Sequence, residues 1–589
     1  MIKGQINFNN PLKIALQHCR KAFIITFIFA FAVNVLMLLT SVYSLQVLDR
    51  VISSRNLETL LMLSLIVVAA YVSLTLLQIT RSFVLIKISE WLDTLLVPIL
   101  FNHSISLSVL RSSVGANQAL RDLDTVKNFL TSAGINTLFD APWAIVYLIV
   151  IFILHPYLGY LTLVGGILLL GFAVLNAYAT SNKLNEANEH YMKSMYQSDI
   201  ATRNAEVIEA MGMLPAINNN WVKFNQKKLQ AQSVASYRNG IISNISKFLR
   251  MLLQMLVTAI GAYLVLLVPP IGFTTGGMIA ASILVGRALA PIDMAIETWK
   301  QITGARKAYQ RLNSTLDCPN LRPEAMVLPA PLGRLTVENT FFSPPSITRQ
   351  QSNKYTLKGV NFSLDAGDIL AVIGPSAAGK SSLAKLIVGV WKPLSGTVRL
   401  DDADVYSWKR EDFGKYVGYL PQDVELFNGT IKDNIARMQT DADPEKVVEA
   451  AQIAGAHEMI LHLQNGYNTD IGMGGSSLSG GQRQRIGLAR AFFGDPKLVV
   501  LDEPNANLDE IGEQALMRAL SSARTKKITT IVISHRPSVL ADVDKILILQ
   551  EGSVVAFGLR DEILARFARP APGMPTAAHP AHLQKNNPS

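Results

Sequence analysis

Long stretches without any charged residue occupy much of the first half of the chain. Four of them contain no Asp, Glu, Lys or Arg: 22–48, 59–80, 141–182 and 251–286. A transmembrane helix needs about 20 apolar residues, so each of the first two stretches suffices for one span. The other two are longer and are interrupted by His155-Pro156 and Pro269-Pro270. Because proline ends or breaks a helix, we predict two helices in each, and six spans in all.

The pattern changes after about residue 315. Segment 316–334 is rich in proline and lacks helical periodicity, as expected of a linker. Between 335 and 569, short β-rich runs alternate with helical segments; the runs read ILAVIG, KYVGYL, KLVVLDE, ITTIVIS and KILILQ. This alternation is typical of a parallel α/β domain. The remaining residues, 570–589, are polar and proline-rich, and we expect a disordered tail.

The charge distribution supports a membrane protein. The chain has 54 Lys and Arg against 44 Asp and Glu, a net charge of +10, which alone would also suit a nucleic-acid-binding protein. The excess of basic residues lies in the N-terminal tail 1–21 and in the long loops after the second and fourth spans. In the short connections, Arg50 and Arg55 are the only basic residues. Basic loops face the cytosol. We therefore predict that both termini and both long, helical loops are cytoplasmic, with a transmembrane domain at 22–315.

Few isolated residues add to this picture. Cys19 and Cys318 are the only cysteines, too few and too far apart for a disulfide framework or a metal cluster. Asp140, in LFDAPWAIVYL, stands at the start of a predicted span. We expect it to cap that helix, with Pro142 in the first turn. A functional carboxylate within the membrane is the alternative.

The α/β segment contains a phosphate-binding pattern. ILAVIGPSAAGKSSLAKLIVG predicts a strand, a loop and a helix, and its loop fits G-x-x-x-x-G-K-[ST]. Gly374 and Gly379 allow backbone amides to surround phosphates, and the helix N-terminus adds a positive field. Lys380 can reach the terminal phosphates, and Ser381 can ligate Mg²⁺. We expect a nucleoside triphosphate here.

Acidic and polar residues follow other predicted strands. Asp502 and Glu503 end the apolar run KLVVLDEP, His535 ends ITTIVISH, and Gln422 lies in YLPQDVELF. Strand ends of a parallel sheet face one crevice, so Asp502 is suited to Mg²⁺ and Glu503 to orienting or deprotonating a water. Taken singly, His535 and Gln422 could equally be ordinary hydrogen-bonding residues.

A second glycine-rich helix start lies in SLSGGQRQRIGLAR. Ser479, Gly480 and Gly481 would leave free amides and a hydroxyl at a helix N-terminus, which is a second potential anion site. Alone, this stretch would be an ordinary turn and helix cap. One nucleotide does not need two such sites from one domain, but a second copy of the chain could offer its own site across an interface.

The order GPSAAGKS, Gln422, LSGGQ, VVLDE, His535 resembles the ATP-binding cassette (ABC) family, and LSGGQ just before the acidic strand is highly specific to it. The resemblance covers nearly the whole chain. It implies a half-transporter of the exporter type: a six-helix transmembrane α domain, similar to type I ABC exporters, followed at 335–569 by an α/β P-loop nucleotide-binding domain. It also implies ATP and Mg²⁺ as cofactors, and a homodimer that sandwiches two nucleotides.

The resemblance assigns roles to the matching positions. The phosphate loop would comprise Gly374, Pro375, Ser376, Ala377, Ala378, Gly379, Lys380, Ser381 and Ser382. The γ-phosphate held by the opposite protomer would meet Ser479, Gly480, Gly481 and Gln482.

The catalytic positions follow in the same way. Gln422 would touch Mg²⁺ and water and sense the membrane domain, and Ser381 and Asp502 would also hold the metal. Glu503 would be the catalytic base, and His535 would hold the γ-phosphate. Asp509, which ends NANLD, resembles the end of the loop that joins the two sites.

Two positions depart from the family pattern. Ala377 stands where many members have glycine. The aromatic residue that stacks on adenine is expected within NTFFSPPSITRQQSNKYTL, where Phe341, Phe342 and Tyr355 are all candidates. The polar insert in this stretch leaves the choice open.

Other motifs resemble one branch of the family. SPPS, LQVLDRVI, LFDAPW and GARKAYQRL together look like the permease/ATPase of type I secretion systems, in the protease-exporter branch. That resemblance implies export of unfolded polypeptides with a C-terminal signal across the bacterial inner membrane. A membrane fusion protein and an outer-membrane channel would complete the conduit. The first predicted span begins at residue 22, so we expect no N-terminal peptidase-like domain, as in this branch.

Two alternatives remain open from the sequence. An exporter of lipids or small drug-like molecules would share every cassette residue. An ATP-gated channel or regulator that binds ATP without turnover belongs to another class, and the presence of Glu503 and His535 argues against it.

Overall fold

The computed structural model describes seven ranges of the chain: 10–110, 118–267, 273–317, 328–344, 355–506, 509–534 and 536–568. The tail at 570–589, most of the proposed linker, Cys318 and His535 lie outside these ranges. The described residues form two compact units, one within residues 1–319 and the other within 320–589.

The first unit is helical throughout its described part. Its α-helices are α1 Pro11–His18, α2 Arg20–Gln46, α3 Ile52–Ser54, α4 Leu57–Leu110, α5 Gln118–Leu130, α6 Ala133–Asp140, α7 Trp143–Leu154, α8 Pro156–Arg203, α9 Ala205–Ala210, α10 Leu214–Leu267, α11 Thr275–Glu297 and α12 Trp299–Leu316. A π-helical turn, Val47–Val51, joins α2 to α3.

In the described residues, five helices of this unit are long and apolar enough to cross a membrane: α2, α4, α8, α10 and α11. Helix α6 with α7 forms an apolar pair bent by 46°, which gives the sixth span that the sequence predicts if the pair crosses as one. Helix α7 ends at Leu154, and His155 caps α8, whose first residue is Pro156. The predicted break at Pro269-Pro270 lies outside the described residues, between the end of α10 and the start of α11.

The long loops predicted to be helical are continuations of the spans. Helices α4 and α10 each have 54 residues, and α8 has 48. At 1.5 Å per residue, 48 residues extend about 72 Å, whereas the hydrocarbon core is about 30 Å thick. These helices therefore continue well beyond the bilayer, and their outer parts are the polar, charged segments of the sequence.

The prediction that Asp140 caps a span is wrong. Asp140 is the last residue of α6, and the residue before α7 is Pro142. The Asp140 carboxylate accepts hydrogen bonds from both terminal nitrogens of Arg81, at 3.0 and 3.3 Å, and from Asn34 at 3.2 Å. A guanidinium that is almost buried gives the carboxylate a charged partner, which a helix N-terminus cannot match. Asp140 thus belongs to a polar cluster within the helical unit, and a functional role of this carboxylate within the membrane stays a prediction.

Asp49, in the π-helical turn, provides a cap that the sequence does not reveal. Its carboxylate accepts hydrogen bonds from the Thr274 hydroxyl at 2.5 Å and from the Gly276 amide at 2.9 Å. A Cβ at Gly276 would lie 2.7 Å from this carboxylate, so a larger residue there would displace the Asp49 side chain. The negative charge therefore lies at the N-terminus of α11, where the helix dipole favours it.

The described residues of the second unit form two sheets. Its strands are β1 Leu335–Phe342, β2 Leu357–Leu364, β3 Ile369–Ile373, β4 Ser395–Leu400, β5 Ala403–Asp404, β6 Val417–Leu420, β7 Leu498–Asp502, β8 Thr529–Ile533, β9 Lys545–Gln550 and β10 Ser553–Leu559. One sheet has the order β10-β9-β3-β8-β7-β6, and the other the order β2-β1-β4-β5.

The five strands predicted from apolar runs all lie in the six-stranded sheet and pair in parallel. Strand β10 adds an antiparallel edge. The smaller sheet is antiparallel and was not predicted. Strands β7 and β8 are buried at every residue, which explains their uninterrupted apolar sequences.

Helices cover the larger sheet and form most of its core. They are α13 Lys380–Ile387, α14 Arg410–Tyr416, α15 Ile431–Ile435, α16 Pro444–Ile453, α17 His457–Leu461, α18 Gly480–Phe492, α19 Glu510–Thr525, α20 Pro537–Leu540 and α21 Arg560–Ala568. The parallel strands β3, β8, β7 and β6 are neighbours in this order, so their carboxyl ends share one edge of the sheet, where the site described next is built.

Candidate functional site: a nucleotide-binding crevice

The loop between β3 and α13 has the form that phosphate binding requires. Strand β3 ends at Ile373 and α13 begins at Lys380. A Cβ at Gly374 would lie 2.0 Å from the Leu549 carbonyl oxygen, and Gly379 has φ 99° with the Thr356 carbonyl oxygen 3.0 Å from its Cβ position. Close backbone approach therefore requires glycine at both positions, as predicted from the motif.

Ala377 occupies the left-handed region of backbone space, with φ 62°. That conformation costs a residue with a Cβ about 1 kcal/mol or more, which explains why glycine is common here in the family. The loop nevertheless keeps its form with alanine. The departure from the family pattern at Ala377 is accommodated as backbone strain.

Lys380 turns back over its own loop. Its Nζ donates hydrogen bonds to the carbonyl oxygens of Gly374 at 2.7 Å and Pro375 at 3.0 Å. Burial lowers the pKa of the amine, although the charges of Glu503 and Asp502 act in the opposite direction. The carbonyl oxygens of Gly374 and Pro375 thus occupy the ammonium group of Lys380, which would pair with phosphate oxygens when a nucleotide binds.

Asp502, the last residue of β7, is 2% exposed. The Ser381 hydroxyl donates to its Oδ1 at 3.2 Å. Burial is the main cause that raises the pKa of this carboxyl, and the neighbouring charge of Glu503 adds to it. A hydroxyl and a buried carboxylate side by side are oxygen ligands of the kind that Mg²⁺ prefers, and a divalent cation would offset the cost of the buried charge. The pair therefore fits a magnesium ion completed by phosphate oxygens, and the described residues contain no separate cluster of three or more His, Cys, Asp or Glu.

Glu503 and Gln422 meet in space, as their strand-end positions suggest. Gln422 follows β6, which pairs with β7. Its Nε2 donates to the Glu503 Oε2 at 2.9 Å. Glu503 itself has φ 50°, a left-handed backbone that is uncommon for non-glycine residues and often occurs at functional sites. The carboxylate therefore faces the crevice next to Asp502.

Two predicted residues on this side are less well defined. His535 lies outside the described residues; its predecessor Ser534, at the end of β8, is buried and bonds to Asn505. Asp509 accepts a hydrogen bond from the Gly512 amide at 2.8 Å and so caps α19. It also lies 3.6 Å from a terminal nitrogen of Arg485 on α18. The structure thus gives Asp509 a helix-capping role and a link to α18.

The LSGGQ stretch forms a helix N-terminus, as predicted. Ser479 is the N-cap of α18: its hydroxyl accepts from the Gln482 amide at 3.2 Å, and the Gln482 side chain accepts from the Ser479 amide at 2.9 Å. Among the described residues, no hydrogen bond or ion pair joins this cap to the phosphate loop. The free amides of Gly480 and Gly481 therefore remain available to another partner.

Gln484 is a buried residue that sequence reasoning missed. It is 2% exposed, and its Nε2 donates to the Pro504 carbonyl oxygen at 3.0 Å. The bond ties α18 to the residue after Glu503. A polar residue on the buried face of a predicted helix was the one available signal, and it does not indicate the partner.

Burial narrows the candidates for the adenine-stacking residue. Phe342 is 3% exposed and stacks on Trp391. Tyr355 is 48% exposed and contacts the Phe341 ring edge-on at 5.4 Å. The next residue, Thr356, lies against Gly379 of the phosphate loop. Tyr355 therefore has both a free face and a place beside the loop, whereas Phe342 has no face to offer.

A phosphate loop, an acidic strand end and a glycine-opened helix on one parallel sheet, preceded by six apolar spans, define an ATP-binding cassette transporter. A family model described as "ABC transporter" matches residues 357–506, and one described as "ABC transporter transmembrane region" matches residues 23–268. The chain belongs to this family: it is a multi-pass membrane protein with an ATP-binding, ATP-hydrolysing domain.

Within the ABC transporter family, the curated relatives indicate that the chain belongs with the type I secretion ATP-binding proteins. The chain is 42% identical over 561 residues to the type I secretion system ATP-binding protein PrsD of Rhizobium meliloti (strain 1021), covering 94% of each chain. It is 29% identical to the toxin RTX-I translocation ATP-binding protein of Actinobacillus pleuropneumoniae, and 28% identical to the alpha-hemolysin translocation ATP-binding protein HlyB of Escherichia coli O6:H1 (strain CFT073). Each of these two matches covers 93% of this chain and 77% of the relative.

A solved structure has the same fold. The structure of a bacterial Atm1-family ABC exporter with ATP bound matches with a TM-score of 0.78 and 22% identity, covering 96% of this chain and 99% of the other. The predicted architecture, a type I exporter-like transmembrane domain followed by a nucleotide-binding domain, is thereby confirmed.

Proposed function

We propose that this protein exports an unfolded polypeptide across the bacterial inner membrane, as the ABC component of a type I secretion system that consumes ATP. The observation that carries this proposal is the 42% identity with PrsD along nearly the full length of both chains. The relatives named for translocation of RTX-I toxin and alpha-hemolysin support the same class of cargo.

The site residues take the following roles in this proposal. Backbone amides of residues 374–382 and the Lys380 ammonium bind the phosphates of ATP, and Tyr355 stacks on the adenine. Ser381, Gln422 and Asp502 hold Mg²⁺, whose charge would stabilise negative charge on the phosphates. The 3.2 Å contact between Ser381 and Asp502 supports this set.

Glu503 acts as the general base. Its carboxylate accepts a hydrogen bond from Gln422, which leaves further lone pairs for an attacking water. His535 holds the γ-phosphate, and Asp509 lies at the end of the loop that joins the two sites. Hydrolysis separates the γ-phosphate from ADP.

Each nucleotide pocket is completed by a second copy of the chain. Ser479, Gly480, Gly481 and Gln482 of one protomer meet the γ-phosphate held by the other, and two ATP molecules bring the two domains of a homodimer together. The capped but otherwise unengaged start of α18 supports this arrangement. Hydrolysis removes much of the attraction between the domains, and the long helices transmit the motion to the spans.

The remaining partners follow from the secretion system. The cargo carries a C-terminal secretion signal, and a periplasmic membrane fusion protein and an outer-membrane channel complete the path. Both termini of the chain are cytoplasmic, because its basic loops would otherwise face the periplasm.

One experiment separates this proposal from export of lipids or small drug-like molecules. The gene is deleted, and the proteins of the culture medium are compared with those of the parent strain and of a strain complemented with the wild-type gene. We expect at least one protein to disappear from the medium and to return on complementation. An unchanged set of secreted proteins, together with retained ATPase activity of the purified protein, contradicts polypeptide export and favours the alternative.

A further inference from the structure

A cavity of about 540 Å³ lies in the helical unit, apart from the nucleotide site. It is formed by α5, α8, α10 and α12. Its size falls within the range of roughly 300–1,000 Å³ that is usual for ligand pockets. Gly304 of α12 lines it, and nothing lies within 4 Å of the position that a Cβ at Gly304 would occupy.

The cavity is strongly basic. It is lined by five cationic residues, Arg121, Lys228, Lys300, Lys307 and Arg311. The one carboxylate in its lining, Asp122, is 2% exposed and is engaged by Arg311 through bonds of 2.6 and 2.8 Å. The other four cations form no ion pair with any residue in the described part of the chain.

The cationic groups also oppose one another. Burial lowers the pKa of Lys307, and the neighbouring Arg311 charge lowers it further. Lys228 lies with its Nζ 5.8 Å from the centre of the Tyr191 ring, which is a weak partner for a charge at this distance. A negatively charged ligand would relieve this repulsion, so the cavity is suited to an anion.

Most of the cavity lies beyond the lipid headgroups. Helix α8 starts at Pro156, and its lining residues run from Leu184 to Met192. At 1.5 Å per residue these positions are about 42–54 Å along the helix. A bilayer with its headgroups is about 40–45 Å thick. The cavity therefore belongs to the cytosolic extension of the helices.

The lining suits a peptide better than a free phosphate. Between the cations lie amide and hydroxyl side chains that can bond to a peptide backbone, such as Asn188, Gln232 and Thr303. Apolar residues, Leu184 and Met192 among them, provide contacts for small side chains. Inorganic phosphate would leave most of this volume and all of the apolar surface unused.

We propose that this basic cavity binds an acidic segment of the exported polypeptide on the cytosolic side, before the segment enters the membrane. The inference rests on the proposed function and specifies the chemistry of its cargo. Aspartate and glutamate side chains would pair with Lys228, Lys307 and their basic neighbours. The cavity would thus select unfolded segments rich in acidic residues.

The test uses the full-length protein in nanodiscs and fluorescein-labelled peptides, with binding followed by fluorescence anisotropy. One peptide repeats Asp-Gly-Ala, and the matched peptide repeats Asn-Gly-Ala. The variants are Lys228→Glu combined with Lys307→Glu, and Gly304→Trp, which fills the cavity. Lys223→Glu combined with Lys227→Glu is the control: it changes the net charge equally, at two exposed positions that do not line the cavity. Basal ATPase activity confirms that each variant is folded.

We expect the acidic peptide to bind the wild-type protein and the control about equally, and both cavity variants about tenfold or more weakly. The Asn peptide should bind the wild-type protein as weakly as the acidic peptide binds the variants. Equal binding to the cavity variants and the control overturns the proposal. So does displacement of the acidic peptide by inorganic phosphate at similar concentration, which would indicate a small-anion site. Failure of polypeptide export is recognised separately, by the secreted proteins of the deletion strain.

Discussion

Glu503 and Asp502 are consecutive carboxylates with different surroundings. Glu503 faces the crevice beside Gln422, whereas Asp502 is buried against Ser381. A base that is exposed to water and a buried metal ligand need these two environments. The backbone at Glu503, with φ 50°, turns the second carboxylate away from the first.

Glu503→Gln should lower ATP turnover by about 100-fold or more, because general bases contribute roughly 10²–10⁴ to rates. The amide keeps the size of the side chain and its place beside Gln422. ATP should still bind, so the variant should accumulate as an ATP-loaded, closed dimer. Phosphate release and bound nucleotide are measured on purified protein, with the exposed Glu510→Gln as the control. Turnover close to wild type would remove Glu503 from this role.

Asp502→Asn should stabilise the protein without nucleotide while abolishing its response to Mg²⁺ and ATP. The folded pKa of Asp502 is raised by burial, so the protonated form favours folding below the unfolded pKa. That contribution is lost as pH rises through the folded pKa, and above it the buried charge has a cost. Removing the charge should add about 0.5–2 kcal/mol.

Thermal unfolding with EDTA above the folded pKa measures this gain, and repetition with Mg²⁺ and ATP tests the loss of ligand stabilisation. The gain should shrink at acid pH, where wild-type Asp502 is protonated. A variant that is less stable than wild type without ligand would contradict a buried, costly carboxylate.

Tyr355→Ala should weaken ATP binding by about fivefold or more, since stacking on a base is worth about 1–3 kcal/mol. Tyr355→Phe keeps the ring and should bind ATP nearly as well as the wild type. Phe341→Ala serves as the comparison, because Phe341 contacts Tyr355 edge-on. Nucleotide titrations measure the affinities. If only Phe341→Ala weakens binding, the stacking residue is Phe341.

Among the helices, the Arg81–Asp140 pair joins α4 to the end of α6, where the span bends. Asn136 also accepts a hydrogen bond from Arg81, at 3.0 Å. Tyr147 extends the network by donating to the Asn34 side chain at 2.9 Å. The polar side chains thus satisfy one another among apolar helix segments.

Asp140→Ala should destabilise the protein by about 3 kcal/mol, because it leaves Arg81 almost buried without its charged partner. The double variant Arg81→Met with Asp140→Leu should recover most of this loss, since apolar pairs often replace buried ion pairs at little cost. Glu90→Ala, which breaks the exposed Lys87–Glu90 pair, should cost less than about 1 kcal/mol. Thermal unfolding in detergent ranks the variants. Equal losses for Asp140→Ala and Glu90→Ala would contradict a structural role of the pair.

The elements visible in the sequence were those set by local pattern. Absence of charge predicted the spans, and Pro156 predicted the start of α8. Strands β7 and β8 are buried at every residue and β3 at all but its last, so their sequences are nearly continuous apolar runs that could be recognised as strands. The antiparallel sheet was missed because β1 and β2 alternate buried and exposed residues irregularly, with bulges in their pairing.

Features that depend on distant partners could not be predicted. Asp140 looked like a helix cap because Arg81, its partner, is remote in the chain, and LFDAPW has the composition of a helix start. The tie between Gln484 and Pro504 was hidden for the same reason. The functional site was easier to predict from the sequence. Lys380, Ser381 and Asp502 belong to motifs whose chemistry is local, and parallel strands bring the ends of these motifs together.

For the whole molecule, the central question is whether one chain or two enclose each ATP. The phosphate loop and the N-terminal cap of α18 belong to the same domain, yet among the described residues no hydrogen bond joins the loop to the cap. If two chains build each pocket, damage to the loop in one chain and to the cap in the other leaves one pocket intact. If one chain builds it, the same combination leaves none.

We therefore expect a mixed dimer to occlude one ATP. Two differently tagged chains, both with Glu503→Gln to prevent turnover, are co-expressed; one also has Lys380→Ala and the other Gly480→Glu. Dimers purified through both tags should hold one ATP, the parent Glu503→Gln dimer two, and a dimer of chains that each have both further changes none. Glutamate at Gly480 acts by repelling the γ-phosphate at a position where the backbone amide is free. A mixed dimer without bound ATP would show that each chain encloses its own nucleotide, and the proposed closing force between protomers would then have no source.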